Sequence, residues 1–188
     1  GCDVSPDMIA QARATSDLDF VVAPAERLPG ADGAFTLVHV SMGFHWFDQE
    51  AFLNEANRVL SPRGHLSIDN CYFLGRIEGE PAFATFNEGF WSEHFPSPFR
   101  NKAHPDDAAA LRRGFSLAKE IDYEIPVTMS LEAFAGYLMT QSNALTRKNA
   151  DLEETESMLM ESYGRFFGGG KRTLAFGGNL KLYAKNDC

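Results

Sequence analysis

Three groups of side chains in this 188-residue sequence are of types that do chemistry. The first is an acid, Asp3, in the opening string Gly1-Cys2-Asp3-Val4-Ser5-Pro6-Asp7-Met8, which reads as a strand end followed by a helix start. In doubly wound α/β folds an acid at the end of the second strand accepts hydrogen bonds from ribose hydroxyls, roughly 20 residues after a glycine-rich turn. No such turn stands before Asp3, so the opening reads as the second half of a nucleotide-binding unit. The same carboxylate could instead complement the dipole of the helix that follows, worth about 0.3–1 kcal/mol. The second group centres on His45, within Phe44-His45-Trp46-Phe47-Asp48. An imidazole titrates near neutral pH and can orient a substrate or accept a proton; the string also reads as an aromatic cluster docking the next helix. The third group is aromatic and polar: Phe90, Trp91 and Tyr137, with Gln141 one helical turn beyond Tyr137.

Two other patterns carry no chemistry. Phe167-Gly168-Gly169-Gly170-Lys171 looks like a phosphate loop, but that motif needs a glycine where Arg165 stands and Ser or Thr where Arg172 stands. The five histidines show no paired ligand spacing, and Cys2, Cys71 and Cys188 are far apart, so neither a metal site nor a disulfide framework is expected.

The elements that must position these groups follow from pattern. Ser5-Pro6 is a cap and first-turn pair, predicting a helix over 6–14. The apolar run 18–22, stopped by Pro24, suits a buried parallel strand. A turn at Gly30-Ala31-Asp32-Gly33 leads to a strand over 35–40. Asp48 can cap a helix whose Phe52, Leu53, Ala56, Val59 and Leu60 share one face, ended by Ser61-Pro62-Arg63-Gly64. A strand follows over 65–70. Beyond Tyr72 the rhythm changes to aromatics and prolines, predicting an aromatic helix and loop over a pocket. Helices over 131–144 and 152–167 then separate strands over 121–127 and 173–184.

This alternation predicts an α/β, Rossmann-like, mostly parallel sheet with an antiparallel last strand, in one domain over 1–188. A helical, substrate-covering insertion is expected within 72–170, and the first strand and its glycine-rich turn are missing. Composition agrees with a globular chain: 44% hydrophobic, 12% aromatic and 23% charged. A net charge of -9 argues against a nucleic-acid partner, and no apolar run approaches the roughly 18 residues of a membrane helix. A small-molecule partner and a cytoplasmic location are expected; the oligomeric state is not readable. The first residue is not Met, which suggests a truncated chain or a processed product.

The strings Ala25-Glu26-Arg27-Leu28-Pro29, Phe44-His45-Trp46-Phe47-Asp48 and Arg58-Val59-Leu60-Ser61-Pro62-Arg63-Gly64, with the 35–41 strand between, resemble the class I S-adenosylmethionine-dependent methyltransferases. Within them the chain is most similar to the small-molecule branch that includes trans-aconitate methyltransferase-like proteins. The resemblance is detailed over 1–70 and looser through Leu131-Glu132-Ala133-Phe134 to Leu138-Met139-Thr140-Gln141-Ser142. It implies S-adenosylmethionine as cofactor, with Asp3 on the ribose diol beside Val4, Met8 on the adenine face, and Pro24, Ala25 and Glu26 at the adenine edge. Pro24 stands where the family often has a polar residue, and it offers no N–H. Ser41 and Met42 would end the next strand against the ligand. His45 is the catalytic candidate, and Trp46, Phe90, Trp91, Tyr137 and Gln141 are the substrate candidates. The acceptor is expected to be a small molecule, a carboxylate among the options, with cofactor binding impaired because the amino-acid half of the ligand lacks its cradle. A non-catalytic binding or regulatory relative and a nicotinamide-dependent oxidoreductase are the competing readings, the latter because it too uses an acid after its second strand.

Overall fold

The computed structural model describes residues 1–145 and 151–186; Cys188 lies outside them. Among the described residues the strands form two sheets. The smaller pairs β1 (Cys2–Asp3) with β2 (Val21–Val22) in parallel, Cys2 opposite Val21 and Asp3 opposite Val22, joined by helix α1 (Pro6–Thr15). The expected strand over 18–22 is thus only two residues long. Its length is set by its partner, since β1 offers two positions to pair with.

The larger sheet has the order β3-β4-β6-β5. β3 (Phe35–Ser41) runs parallel to β4 (Leu60–Ile77), connected by α2 (Gln49–Val59). β4 begins earlier than the expected 65–70. The Ser61-Pro62-Arg63-Gly64 turn bulges out of the ladder, so that Phe35 pairs with Leu60 but Leu37 with His65; Arg63 takes the left-handed conformation this needs, φ 63°. β5 (Phe115–Met129) and β6 (Arg172–Lys185) complete the sheet, and β6 is the antiparallel last strand. Its start meets the end of β4, where Glu78 N–H donates to the Thr173 carbonyl at 2.9 Å, and its end lies by the start of β5, where Ser116 Oγ donates to Asn186 Oδ1 at 2.7 Å.

The remaining helices are α3 (Pro81–His94), α4 (Asp107–Arg112), α5 (Leu131–Met139), α6 (Ser142–Leu145) and α7 (Leu152–Phe167). The single helix expected over 131–144 is broken in two. The Thr140 hydroxyl donates back to the Tyr137 carbonyl at 2.7 Å and the backbone turns there. Sequence periodicity missed α4, a six-residue element held by its cap: Asp106 Oδ1 accepts from the Ala108 and Ala109 N–H groups.

The chain divides into two compact units. The first comprises Gly1–Asn70, Arg100–Asp122 and Asn179–Cys188, the second Cys71–Phe99 and Tyr123–Gly178. The first unit's core gathers Phe44, Phe52, Leu53, Ala56, Leu60, Leu66, Ile68, Phe115 and Tyr183. The second is built of rings, with Phe83, Phe134, Tyr163 and Phe166 in mutual edge and tilted contacts. Edge-to-face pairs of this kind add about 0.5–1.5 kcal/mol beyond their burial. No described helix is long and apolar enough to cross a membrane.

Candidate functional site

A cavity of about 500 Å³ opens in the first unit between the two sheets. One wall is Cys2, Asp3 and Val4 from β1, with Ala23, Ala25 and Leu28 from the stretch after β2. The other is Val38, His39, Val40, Ser41 and Met42 from β3, continued by Gly43, Trp46, Phe47 and Phe52. The size falls within the roughly 300–1,000 Å³ of small-molecule sites, and most of the lining is apolar with a few polar groups, as such sites are.

Local chemistry fixes Asp3 at this wall. Its Oδ1 accepts the Ser5 N–H at 2.8 Å, and Ser5 Oγ in turn caps α1 by accepting the Met8 N–H at 3.3 Å, with Pro6 in the first helical turn. Oδ2 is then the oxygen left to accept from a ligand hydroxyl. The chain end of β3 is held by strain: Met42 is left-handed, φ 55°, a conformation that costs a non-glycine residue about 1–3 kcal/mol. Its N–H donates to the Asp69 carbonyl at 2.9 Å, which pins the turn where β3 meets the cavity. A Cβ on Gly43 would lie 3.2 Å from the Phe47 ring, so a larger residue there would have to displace that ring by a few tenths of an ångström.

Arg58 builds the loop that supplies Leu28. Its guanidinium donates to the Leu28 and Gly30 carbonyls and to the Asp32 and Glu55 carboxylates. The hydrogen bond from Arg58 holds the Glu55 carboxyl below the usual range.

The cavity unites five of the eight expected cofactor residues: Asp3, Val4, Ala25, Ser41 and Met42. Pro24 does not line it, although its neighbours Ala23 and Ala25 do. Glu26 points its carboxylate elsewhere, accepting the Asp48 N–H at 2.8 Å and so tying this loop to the start of α2. Met8 is exposed and outside the lining; the residue α1 buries is the adjacent Ile9. Trp46 lines the cavity, while His45 stands beside it with its ring 4.8 Å from the Trp46 ring. Burial, and secondarily the charge of Arg100, hold the His45 imidazole below its usual value, which keeps it neutral at pH 7.

The other substrate candidates belong to the second unit. Phe90 stacks on His94 at 4.5 Å, and Trp91 on Phe95 at 4.4 Å. The Tyr137 hydroxyl accepts the Phe73 N–H at 3.2 Å, and burial pushes its pKa up, making it a weaker acid. Gln141 Nε2 donates to the Tyr137 carbonyl at 3.4 Å.

Sequence reasoning missed Cys2, Val38, His39, Val40, Phe47 and Phe52 in the lining. Alternation along β3 could not have singled out its residues. The strand presents its edge to the cavity, so side chains of both parities line it.

A cavity at the carboxyl ends of parallel strands, with an acid after one of them, is the arrangement in which open α/β sheets bind nucleotide-type ligands. Residues 1–68 match the methyltransferase-domain family. That stretch is similar to the class I S-adenosylmethionine-dependent methyltransferases, a family that takes its methyl group from that donor, and the fold agrees. Among curated relatives, a candidate methyltransferase of Dictyostelium discoideum is 24% identical over 170 residues, covering 87% of this chain and 64% of its own length. The demethylmenaquinone methyltransferase of Thermus thermophilus is 40% identical over 74 residues, 36% of this chain and 34% of that protein. The chain therefore spans less than two thirds of these relatives. Among solved structures, a type II methyltransferase candidate from Anaeromyxobacter dehalogenans aligns with a TM-score of 0.62 at 22% identity, covering 98% of this chain and 78% of that one. The [4+2]-cyclase SpnF shares the fold with a TM-score of 0.52 at 19% identity, over 99% of this chain and 65% of its own.

Proposed function

We propose that the cavity holds the adenosine part of S-adenosylmethionine and that the protein transfers the methyl group to a small-molecule acceptor, a carboxylate being one option. The observation that carries this reading is that Asp3 shares one cavity with Ala23, Ala25, Ser41 and Met42, from the ends of three strands. The residues present suit such a ligand. Asp3 Oδ2 is placed to accept from a sugar diol, and Val4, Leu28, Val38 and Phe47 offer apolar surface for a flat base.

When bound, the donor supplies a sulfonium methyl whose leaving group departs neutral. The protein's task is then to align and to exclude water, effects that contribute about 7–11 kcal/mol in well-oriented reactions. Trp46 and Phe47 cover the cavity with apolar surface, and the neutral His45 imidazole beside Trp46 is the group able to take a proton from an acceptor. Phe90, Trp91, Tyr137 and Gln141 are proposed acceptor contacts. Neither Cys2 nor Cys71 is in a disulfide among the described residues, which suits the reducing cytoplasm proposed as its location.

For the 188-residue chain we propose impaired donor binding, weaker than micromolar. Among the described residues, no glycine-rich turn lines the cavity to cradle the amino-acid end of the ligand. Calorimetric titration with S-adenosylhomocysteine tests both parts. The expected result is a weak but saturable isotherm that Asp3→Asn weakens about tenfold or more, since a hydrogen bond to a charged acceptor contributes about 1.5–3 kcal/mol. Micromolar affinity would refute the impairment, and an Asp3→Asn isotherm superimposed on that of the parent would refute the site.

SpnF gives a specific reason to keep a second reading, because it is a [4+2]-cyclase on the same fold. A chain that binds the donor and never releases S-adenosylhomocysteine with any acceptor would favour that non-methyltransferase reading.

A further inference from the structure

The second unit carries a cavity of its own, about 530 Å³, between the final part of β4 and α3. That size suits a small-molecule ligand. Consecutive residues of β4, Tyr72 to Arg76, line it. Only a strand edge presents both parities in this way. The edge is open because β3 pairs with β4 only as far as Ser41 opposite Asp69, and no other described strand lies on that side. At the floor, Gly75 is left-handed, φ 72°, and a Cβ there would lie 3.3 Å from Asn87 Nδ2. The Asn87 side chain is fixed in turn, its Oδ1 accepting from the Tyr163 hydroxyl at 2.8 Å.

Three side chains of the lining define what such a cavity can bind. Glu88 and Trp91 stand three residues apart on α3 and so share one face of it. Glu88 is exposed, and among the described residues no cation pairs with it. The other charge in the lining is already balanced, since Arg76 Nη2 meets Glu124 Oε2 at 2.6 Å. A net negative charge is left. Trp91 has one ring face stacked on Phe95 at 4.4 Å, which leaves the other for the cavity. Tyr72 is 50% exposed, although its neighbour Phe73 packs among the rings of the second core, 5.0 Å from Phe134. Aromatic faces attract cations through their quadrupole, and a nearby carboxylate supplies the counter-charge. Carbonyl oxygens along an open strand edge add partial negative charge.

We propose that this cavity is a binding site for a small organic ammonium cation, held by the Glu88 carboxylate with Trp91 and Tyr72 as aromatic walls. It shares no lining residue with the donor cavity of the first unit. The proposal does not depend on the methyl-transfer reading, in which Trp91 also figures. It gives a role to a large ring left open to solvent and to an unpaired carboxylate in the same lining, neither of which the aromatic core needs.

The test reads Trp91 emission in a Trp46→Phe background, which leaves it the sole tryptophan. The probes are choline, its neutral carbon isostere 3,3-dimethylbutan-1-ol, and sodium chloride at matched ionic strength. Choline is expected to change the emission saturably, with the alcohol and the salt silent. Glu88→Gln should raise the choline midpoint about tenfold and Tyr72→Leu about threefold. Glu93→Gln, which removes an equal charge from the same helix outside the cavity, should leave the midpoint in place. Thermal melting establishes that each variant is folded, and Glu88→Gln carries the test if the Tyr72 variant is not. Calorimetric titration of choline into the chain with both tryptophans repeats the measurement free of the Trp46→Phe background. An equal response to the alcohol, an equal loss in Glu93→Gln, an unchanged midpoint in folded Glu88→Gln, or no response to choline would overturn the proposal. Such a failure would leave the donor cavity as argued.

Discussion

The two walls of the cavity are built very differently. On the β3 side, α2 buries Phe52, Leu53, Ala56 and Val59 completely or nearly so, against Leu66 and Ile68 of β4. On the β1 side, α1 buries only Ile9, and Val4, Val21 and Val22 are 67%, 37% and 53% exposed. The contrast starts in sequence. Gln49-Glu50-Ala51-Phe52-Leu53-Asn54-Glu55-Ala56-Asn57-Arg58-Val59 places bulky apolar residues on one helical face, whereas Pro6-Asp7-Met8-Ile9-Ala10-Gln11-Ala12-Arg13-Ala14-Thr15 offers two adjacent large ones and then alanines. Burying a Phe or Leu side chain stabilises by about 1.5–3 kcal/mol, so one wall is anchored by several such residues and the other by one. The carboxylate proposed for the ribose therefore sits on the wall with less buried apolar anchorage.

Breaking the comparison is most direct at the strong wall. Phe52→Ala should cost about 3–5 kcal/mol of global stability in a urea transition. Ile9→Ala should leave that midpoint nearly in place while accelerating amide exchange over residues 1–23, because this wall opens locally. Equal global losses from the two variants would show that the walls are one cooperative unit. A smaller effect is expected from Asp48→Ala. Asp48 Oδ1 accepts the Ala51 N–H at 3.1 Å and its own N–H is held by Glu26, so removing the cap should cost about 1 kcal/mol and loosen the loop at Ala25. A melting temperature that does not fall would contradict this.

The smallest effect is one of pH. His45 and His104 are both held below the usual value, chiefly by burial, and secondarily by Arg100 and Lys181 respectively; Glu120 and Asp69 pull His104 the other way. The unfolded chain then binds protons from about pH 6.5 downward before the folded one does. Stability should accordingly fall as pH drops below about 6.5 and level off once the folded-state values are passed. A urea midpoint that rises over this interval, or one that His45→Asn leaves equally steep, would contradict the assignment.

Much of this architecture was legible because single residues dictate it. Ser5-Pro6 and Asp48 start α1 and α2 where their capping chemistry requires, and the final strand closes the sheet antiparallel as expected. Long-range pairing was not legible. β2 shrank to two residues because β1 is short, and β4 began early because a bulge at Arg63 let the ladder continue past Pro62. At the site, Asp3, Ser41 and Met42 could be placed because each ends a strand. Glu26 was committed to a backbone N–H 22 positions away, a partner no local pattern could name.

The claim that the donor's adenosine lies between β1 and β3 is tested most directly by hydrogen exchange of the 188-residue chain with and without millimolar S-adenosylhomocysteine. The account predicts protection concentrated at residues 2–5, 23–26 and 41–43, with the gain larger on the weakly anchored wall. Protection centred on any other segment, or none at these three, would contradict it.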